Sequence, residues 1–379
     1  MTRMNITNTR IVTRERDFLG NLHVRCGNIA GFDEGVLRLA GAEDWNGDYL
    51  LPGFIELHTD NLEKHLMPRP KVSWPEFPAL LAHDAEVAAA GITTVYDALG
   101  VGDVDEAALR GKDMSDLTRC IDDAEKAGLL RVEHRLHIRC ELPAPNAVRL
   151  FEPFLNNTRV QLLSLMDHTP GQRQWTNVEQ ARVYYTGKKG WSDEKFDHVV
   201  NESKTLQQQY AKPHREFFVE HARSRSIPLA SHDDTTPEHV SEAREAGIAV
   251  SEFPTTFEAA RAARANALGI VMGAPNVVRG GSHSGNIAAA DLARHGLLDV
   301  LSSDYVPSSL LSAAFILVDK CGFTVAQAVA TISANPARCV GLADRGEIAE
   351  GKRADFSRVR LVKGVPSVIA VWRGGKRVA

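Results

Sequence analysis

Residues 51–60 read LPGFIELHTD, an apolar run that ends in polar residues. A short apolar run bounded by turn residues is typical of a strand buried in a parallel sheet. His58 and Asp60 are two positions apart, so their side chains lie on the same face of that strand. An isolated His-x-Asp pair is common in proteins. The end of a buried strand, however, is where a parallel barrel presents its active-site residues, so this pair is the first candidate for a functional site.

Further apolar runs follow this stretch, and helical patterns separate them. We predict eight strands: Leu51–Leu57, Thr93–Ala98, His134–Cys140, Val160–Met166, Ile227–Ser231, Ile248–Glu252, Ile270–Gly273 and Val300–Ser303. Helix starts are expected at Thr236, which precedes Pro237, and at the capping box Thr255-Thr-Phe-Glu258. Eight strands alternating with helices predict an α/β fold, a (β/α)8 TIM-like barrel.

The two chain ends differ from this pattern. Residues 1–50 and 342–379 contain short alternating runs punctuated by Gly, Asn and Asp, which favour antiparallel strands. We therefore expect both ends to form a small β-sandwich domain beside a hydrolase barrel at 51–341. Within the barrel, proline-rich Pro68–Pro78 predicts an ordered excursion, and the charged insertion Thr186–Arg225 predicts either a helix or a lid.

Composition excludes several classes of protein. The 379 residues are 44% hydrophobic and 24% charged, with a formal net charge of −4, so no overall positive field attracts nucleic acid or an anionic membrane. No apolar stretch is long enough to span a bilayer, and the first 20 residues lack a signal-peptide core, so we expect a cytoplasmic protein. Five dispersed cysteines without a Cys-x-x-Cys pair argue against disulfides and a thiolate zinc site.

Polar residues follow several predicted strands. The six candidate metal ligands are His58, Asp60, Glu141, His168, His232 and Asp304. Nitrogen and oxygen donors of this kind suit Zn²⁺, with Mn²⁺ as an alternative, and one or two ions. The competing interpretation of each histidine is a hydrogen-bonded structural residue. For Asp304 it is a helix cap, the role we expect of Asp233 and Asp234.

Cationic residues occupy loops at the same predicted rim. The candidate substrate-binding residues are Lys64, Arg69, Lys71, Arg173, Arg279 and His283. The glycine-rich loop 280–285 precedes a predicted helix at 287–292, where backbone N–H groups can bind an anion. Because guanidinium groups bind phosphate in a bidentate way, the set favours a phosphorylated substrate. The alternative is that these are solvated surface charges.

These motifs resemble the amidohydrolase superfamily and, within it, the triphosphate diphosphatases of phosphonate catabolism. The similarity runs from about residue 50 to the end. The segments that carry it are LPGFIELHTDNLEKH at 51–65, MPRPKVSW at 67–74, RCEL at 139–142, LMDHTPGQRQ at 165–174, SHDD at 231–234, EFPTTFEAAR at 252–261, MGAPNVVRGGSHSGN at 272–286 and LSSDY at 301–305. Most of the superfamily has His-x-His after the first strand, whereas this chain has His58-Thr-Asp60, a change that the narrower family shares.

The resemblance implies a metal-dependent enzyme that releases pyrophosphate from a phosphorylated ribose, a small-molecule substrate. Metal-activated water would attack phosphorus and Asp304 would accept its proton. It leaves open whether Glu141 bridges two metals or orients His137 or an arginine. The alternatives are a cyclic amidohydrolase or deaminase, against which the rim cations argue, and an inactive scaffold subunit of a phosphonate-degrading complex, against which the complete ligand set argues. A homo-oligomer is compatible with the sequence.

Overall fold

The computed structural model describes residues 3–69, 72–103, 114–173, 178–189, 192–282 and 285–379. Its strands are β1 Arg3–Val12, β2 Asp17–Arg25, β3 Asn28–Glu34, β4 Glu43–Asp44, β5 Tyr49–Pro52, β6 Phe54–Thr59, β7 Ile92–Val101, β8 Glu133–Glu141, β9 Val160–Met166, β10 Leu229–His232, β11 Val250–Glu252, β12 Gly269–Gly273, β13 Val300–Ser302, β14 Phe356–Val362, β15 Val365–Arg373 and β16 Lys376–Arg377.

The helices are α1 Asn61–Leu66, α2 Glu76–Ala89, α3 Ser115–Lys126, α4 Ala147–Phe151, α5 Val178–Lys189, α6 Asp193–Arg225, α7 Pro237–Glu245, α8 Phe257–Ala265, α9 Ala274–Arg279, α10 Ala289–Arg294, α11 Ser309–Cys321, α12 Val325–Ala330 and α13 Ala334–Cys339. In the described ranges, none of these helices combines the length and the apolar character needed to cross a membrane.

Both chain ends contribute to one sheet, as the sequence predicts. Its strand order is β16-β15-β14-β5-β1-β2-β3, with β4 paired to β1. The N-terminal strand β5 meets the C-terminal strand β14 in an antiparallel register that pairs Pro52 with Phe356. One face buries an aromatic cluster. Its Trp372 ring centroid lies 5.3 Å from the ring centroid of Trp45 and 5.1 Å from that of Phe356. The small β-domain therefore needs both ends of the chain.

The second sheet confirms the eight predicted barrel strands. They follow chain order from β6 to β13, and the pairs β6–β7, β8–β9, β9–β10, β10–β11 and β11–β12 are parallel. The last strand returns to the first, because the Asp60 backbone N–H donates to the Asp304 carbonyl (2.9 Å) and the Asp304 N–H donates to the His58 carbonyl (3.1 Å). The sheet is nearly closed, and helices follow most of its strands, as in a (β/α)8 barrel.

The first barrel strand starts later than predicted. The sequence predicts Leu51–Leu57, but β6 spans Phe54–Thr59, and residues 49–52 form β5 of the other sheet. Gly53 is the junction between the two sheets. A Cβ atom there would lie 2.4 Å from the Thr93 hydroxyl oxygen, so glycine lets the chain pass close to β7. The other predicted strands differ by up to three residues at each end, except β9, which matches.

The helix starts confirm one prediction and correct others. Thr236 caps α7, as expected, and its hydroxyl accepts from the His239 N–H. Thr256 rather than Thr255 caps α8. Asp233 and Asp234 cap neither helix, so that expectation was wrong, since the β-region backbone that an N-cap needs belongs to the threonines that follow.

Two helical regions also refine the predictions. The charged insertion is helical from Asp193 to Arg225, as one of the two alternatives predicted. The helix expected at 287–292 begins later, at Ala289.

The described chain forms two compact units: the first comprises Met1–Asp97, Leu117–Arg135 and Met272–Ala379, and the second Ala98–Asp116 and Leu136–Val271.

Candidate metal centre

In the first unit, His58, Asp60 and Asp304 form the first ligand group. Each offers one donor atom, and the three atoms lie within 4.8 Å of one another. His58 Nε2 is 3.8 Å from Asp60 Oδ1, and the His58 side chain is only 1% exposed, whereas that of Asp60 is 26% exposed. One buried imidazole and two more accessible carboxylates thus meet where β6 and β13 end.

The backbone fixes the geometry of the first ligand group. Thr59 Oγ1 donates to the Asp304 carbonyl at 2.7 Å, beside the backbone bonds that join the two strands. Asp304 has a φ of 55°, in the left-handed region where an aspartate is tolerated better than most residues. The chain therefore turns sharply at Asp304 while its carbonyl stays bound to β6.

Glu56 supports this group and was not identified from the sequence. Its carboxylate accepts from the His58 N–H (2.7 Å), the Ser302 hydroxyl (2.8 Å) and the Ser303 N–H (2.6 Å). Burial raises the pKa of Glu56 and outweighs these hydrogen bonds, which lower it. Glu56 thus ties β6 to β13. The available sequence signal was its spacing, because positions 56, 58 and 60 share one strand face.

In the second unit, His168, His232 and Asp233 form the second ligand group, again with donor atoms within 4.8 Å. Asp233 Oδ2 lies 4.0 Å from His168 Nε2 and 3.6 Å from His232 Nε2. The two imidazole rings are 5.7 Å apart and nearly perpendicular. Asp233, which we expected to cap a helix, instead faces both predicted histidine ligands.

In both histidines of the second ligand group, a carboxylate contacts Nδ1, the ring nitrogen that does not face Asp233. Glu141 Oε2 lies 2.5 Å from His168 Nδ1, and Glu141 Oε1 accepts from the His168 N–H at 2.9 Å. Glu252 Oε2 lies 3.3 Å from His232 Nδ1. A carboxylate on Nδ1 is the usual partner of a metal-binding histidine, because it fixes the ring and makes Nε2 the donor to the metal. Glu141 thus orients His168, and its role as a ligand stays a prediction.

The donor sets of both ligand groups fit a divalent ion. Both combine imidazole nitrogens with carboxylate oxygens, the mixture that Zn²⁺ and Mn²⁺ accept. In the second group the hydrogen bonds on Nδ1 also direct Nε2 of both rings towards the same carboxylate oxygen. Residues predicted from the sequence supply five of the six members, and Asp233 is the addition.

Arg173 occupies a different environment from the other predicted substrate-binding cations, which are exposed where they are described. Its side chain is 6% exposed, and it donates to Asp234 at 2.5 Å and to the His232 carbonyl at 3.2 Å. Glu242 lies 3.5 Å away. Asp234 also accepts from the Ser231 hydroxyl. These bonds brace the end of β10, and contact between Arg173 and a substrate stays a prediction.

The remaining predicted cations are exposed where they are described. Lys64 lies on α1 and is 3.8 Å from Glu86, Arg69 lies in the loop beyond α1, and Arg279 is the last residue of α9. Lys71 and His283 lie outside the described residues. Three long cationic side chains are thus placed to reach solvent in the first unit.

The barrel carries imidazole and carboxylate groups at its strand ends, the donor types of a metal-dependent hydrolase. The chain belongs to the amidohydrolase family, whose model matches residues 198–378. Among curated proteins it is 48% identical, over 99% of this chain and 100% of the relative, to alpha-D-ribose 1-methylphosphonate 5-triphosphate diphosphatase of Escherichia coli (strain K12). The family resemblance drawn from the sequence is therefore confirmed.

Solved structures agree on the fold. The 5-methylcytosine deaminase from Klebsiella pneumoniae matches with a TM-score of 0.65 at 16% identity, covering 99% of this chain and 98% of that one. The N-acetyl-D-glucosamine-6-phosphate deacetylase from Mycobacterium smegmatis matches with a TM-score of 0.63 at 16% identity, covering 99% and 100%. At this identity the likeness concerns the fold alone.

Proposed function

We propose that this protein hydrolyses α-D-ribose 1-methylphosphonate 5-triphosphate to ribose 1-methylphosphonate 5-phosphate and pyrophosphate, a step of phosphonate catabolism. The proposal rests on the similarity to the relative of that name, which is 48% identical over 99% of this chain and 100% of the relative. The enzyme is a hydrolase acting on a phosphoric anhydride bond. The two ligand groups support the proposal, since the reaction needs an activated water and neutralisation of phosphoryl charge.

The two ligand groups would hold one or two divalent ions, Zn²⁺ in our proposal, with Mn²⁺ as the alternative. The ligands are those predicted from the sequence, namely His58, Asp60, Glu141, His168, His232 and Asp304, together with Asp233. A bound divalent ion lowers the pKa of water from about 15.7 toward about 7 and offsets negative charge on phosphoryl oxygens.

Asp304 is the proposed general base. It accepts the proton of the attacking water while the bond between phosphorus and the departing pyrophosphate breaks. Its position supports this role, because the backbone holds Asp304 beside His58 and Asp60 and leaves its carboxylate partly accessible. The departing pyrophosphate carries the charge of the broken bond, which cationic side chains can neutralise.

The cations divide into two proposed roles. Lys64, Arg69 and Arg279 are exposed and can bind the triphosphate chain directly. Arg173 is buried against Asp234, so the bonds it makes favour a supporting role at the end of β10. The roles of Lys71 and His283 in substrate binding, a cytoplasmic location and a homo-oligomeric state stay predictions from the sequence.

Phosphorus NMR tests the proposed reaction. The metal-loaded protein is incubated with α-D-ribose 1-methylphosphonate 5-triphosphate and, separately, with ATP. We expect pyrophosphate from the first substrate and little from the second, because the binding site is proposed to recognise the methylphosphonate-bearing ribose. Release of inorganic phosphate alone, or absence of any turnover in protein shown to contain metal, contradicts the proposal. Ring opening of cyclic amides under the same conditions would favour the amidohydrolase alternative.

A further inference from the structure

A second set of titratable residues is buried in the first unit, on α2, β7 and β8. His83 Nε2 lies 2.7 Å from Asp97 Oδ1, and His134 Nδ1 lies 2.7 Å from Asp97 Oδ2. His134 Nε2 lies 3.3 Å from Asp84 Oδ1. All four side chains are 0% exposed. We call Asp84, His134, Asp97 and His83 the buried relay.

The two histidines of the relay have different protonation states. Burial alone lowers the pKa of His134, but Asp97 and Asp84 outweigh it and raise that pKa to about 9. His134 is therefore an imidazolium that donates from both nitrogens to the two carboxylates. Burial likewise lowers the pKa of His83, and here it prevails, so His83 is neutral. Arg131 reaches Asp84 at 3.1 Å and balances the remaining negative charge.

The relay sets the tautomer of His83. A neutral imidazole has one N–H, and Asp97 accepts it from Nε2, so Nδ1 is an acceptor. Asn61 Nδ2 then donates to His83 Nδ1 at 3.0 Å and, with its second hydrogen, to Glu86 at 2.9 Å. Asn61 is fully buried, and its Oδ1 has no hydrogen-bond partner among the described residues. Its amide is thus oriented by these two acceptors.

Asn61 is the first residue of α1 and follows the predicted ligand Asp60. On one side of this turn, the Asp60 N–H donates to the Asp304 carbonyl, and the Asn61 N–H donates to Thr59 Oγ1 at 3.3 Å. On the other side, the Asn61 side chain is attached to α2 through His83 and Glu86. Asp60 therefore sits in a turn anchored at both ends.

We propose that the buried relay and Asn61 are positioning residues, which hold Asp60 at the geometry that metal binding in the first ligand group requires. A metal ligand must be held to within about 0.5 Å, and a ligand in the turn after a strand needs such support. The inference rests on the proposed function for its kinetic readout, but its metal-binding readout is independent of the substrate.

The relay itself is better explained as hydrogen bonds than as a second metal site. Donor atoms of His83, Asp97 and His134 lie within 4.8 Å of one another, as a metal site requires. The two imidazoles, however, contact different oxygens of Asp97 at hydrogen-bond distance, and the other nitrogen of each ring has its own partner. Each N–H and acceptor is matched without an ion.

The test compares two isosteric substitutions of buried asparagines. Asn61→Asp places a carboxylate against Glu86 and the acceptor nitrogen of His83. Asn21→Asp is the control, because Asn21 is equally buried but lies in the terminal sheet, where its amide donates to the Gly35 carbonyl at 3.0 Å. Zn²⁺ dissociation constants are measured by competition with a chromophoric chelator, together with melting temperatures of the metal-free proteins and kcat and KM.

We expect Asn61→Asp to weaken Zn²⁺ binding at least tenfold and to lower kcat, while its melting temperature falls no further than that of Asn21→Asp. The control should retain wild-type zinc affinity. Equal zinc affinity in both variants overturns the inference, and so does loss of affinity that merely follows the loss of stability. If wild-type protein binds zinc but does not release pyrophosphate, the proposed function fails and the metal readout still tests the relay.

Two variants of His83 test the relay by rescue. Gln presents a donor group and an acceptor group, as the neutral imidazole does, whereas Leu presents neither. We expect His83→Gln to keep zinc affinity within about threefold of wild type and His83→Leu to resemble Asn61→Asp. An equal loss of zinc affinity in His83→Gln and His83→Leu overturns the argument from the His83 tautomer. Nitrogen NMR of the His83 ring provides a direct check: loss of the Nε2 proton on addition of zinc, restored by chelation, would show an ion in the relay and overturn the hydrogen-bond interpretation.

Discussion

At the residue scale, Asp304 combines a left-handed backbone with a partly accessible carboxylate beside His58 and Asp60. Asp304→Asn keeps the size of the side chain but removes its ability to accept a proton. We expect kcat to fall by about 10² to 10⁴, the usual contribution of a general base, with metal still bound. Pyrophosphate release and metal content of the purified variant measure the two effects.

Asp319→Asn is a suitable control for this substitution, because Asp319 is exposed on α11. It should leave kcat unchanged. Wild-type turnover in Asp304→Asn would remove Asp304 from the reaction, and loss of metal together with activity would make it a ligand without a proton-transfer role.

The buried His134 should make the stability of the fold depend on pH. Its pKa is raised from the usual histidine value of about 6.5 to about 9 in the folded protein, since Asp97 and Asp84 outweigh the effect of burial. A raised pKa stabilises the fold fully below about pH 6.5 and loses that effect as the pH rises through 9. We expect the free energy of unfolding of metal-free protein to fall by roughly 2 to 3 kcal/mol over this interval.

Urea denaturation at a series of pH values measures this change, and His134→Gln is the comparison. The variant has no imidazolium at this position, so its stability should vary less between pH 6.5 and 9. Parallel curves for the variant and the wild type would show that the dependence does not come from His134.

The sequence revealed only some of these residues. His58, Asp60 and Asp304 follow apolar strands, and that local pattern can be recognised. The relay has no such pattern, because His83 is 14 positions and His134 37 positions from Asp97, on a helix and two strands. The sequence predicts a capping role for Asp233 because it precedes a helix, and only the folded chain shows that it faces two histidines.

At the element scale, the eight barrel strands were predictable because each is a compact apolar run between polar segments. The start of β6 was not predictable, since the apolar run 49–57 continues through two sheets with only Gly53 between them. A hydrophobic run predicts only that its residues are buried, and both sheets bury residues of this run. Which sheet a residue joins depends on its partner strands, Phe356–Val362 for β5 and Ile92–Val101 for β6.

The end of α9 carries a prediction about substrate binding. Arg279 is exposed there, and removing a guanidinium that binds phosphate removes a charge-assisted hydrogen bond. We expect Arg279→Ala to raise KM for the triphosphate about tenfold or more while metal content is unchanged. Arg38→Ala is the matched control, because Arg38 is an exposed arginine between β3 and β4. An unchanged KM in Arg279→Ala contradicts the proposed contact.

At the scale of the whole molecule, metal and fold stability should be linked. An ion that binds the folded chain stabilises it by about 3 kcal/mol when its free concentration is 100 times its dissociation constant. We expect chelation to lower the melting temperature and added Zn²⁺ to restore it, as measured by calorimetry. An identical melting temperature with and without zinc, in protein shown to take up the ion, would count against the proposed ligand groups.

The antiparallel pairing of β5 with β14 has a consequence for the order of events on the ribosome. Strand β5 is made first, but its neighbour Phe356–Val362 emerges only after all the barrel strands β6 to β13 have been translated. Until then the hydrogen-bonding edge of β5 is unsatisfied, a state that invites pairing with other chains. The edge of β5 can therefore close only after the ribosome has translated β14.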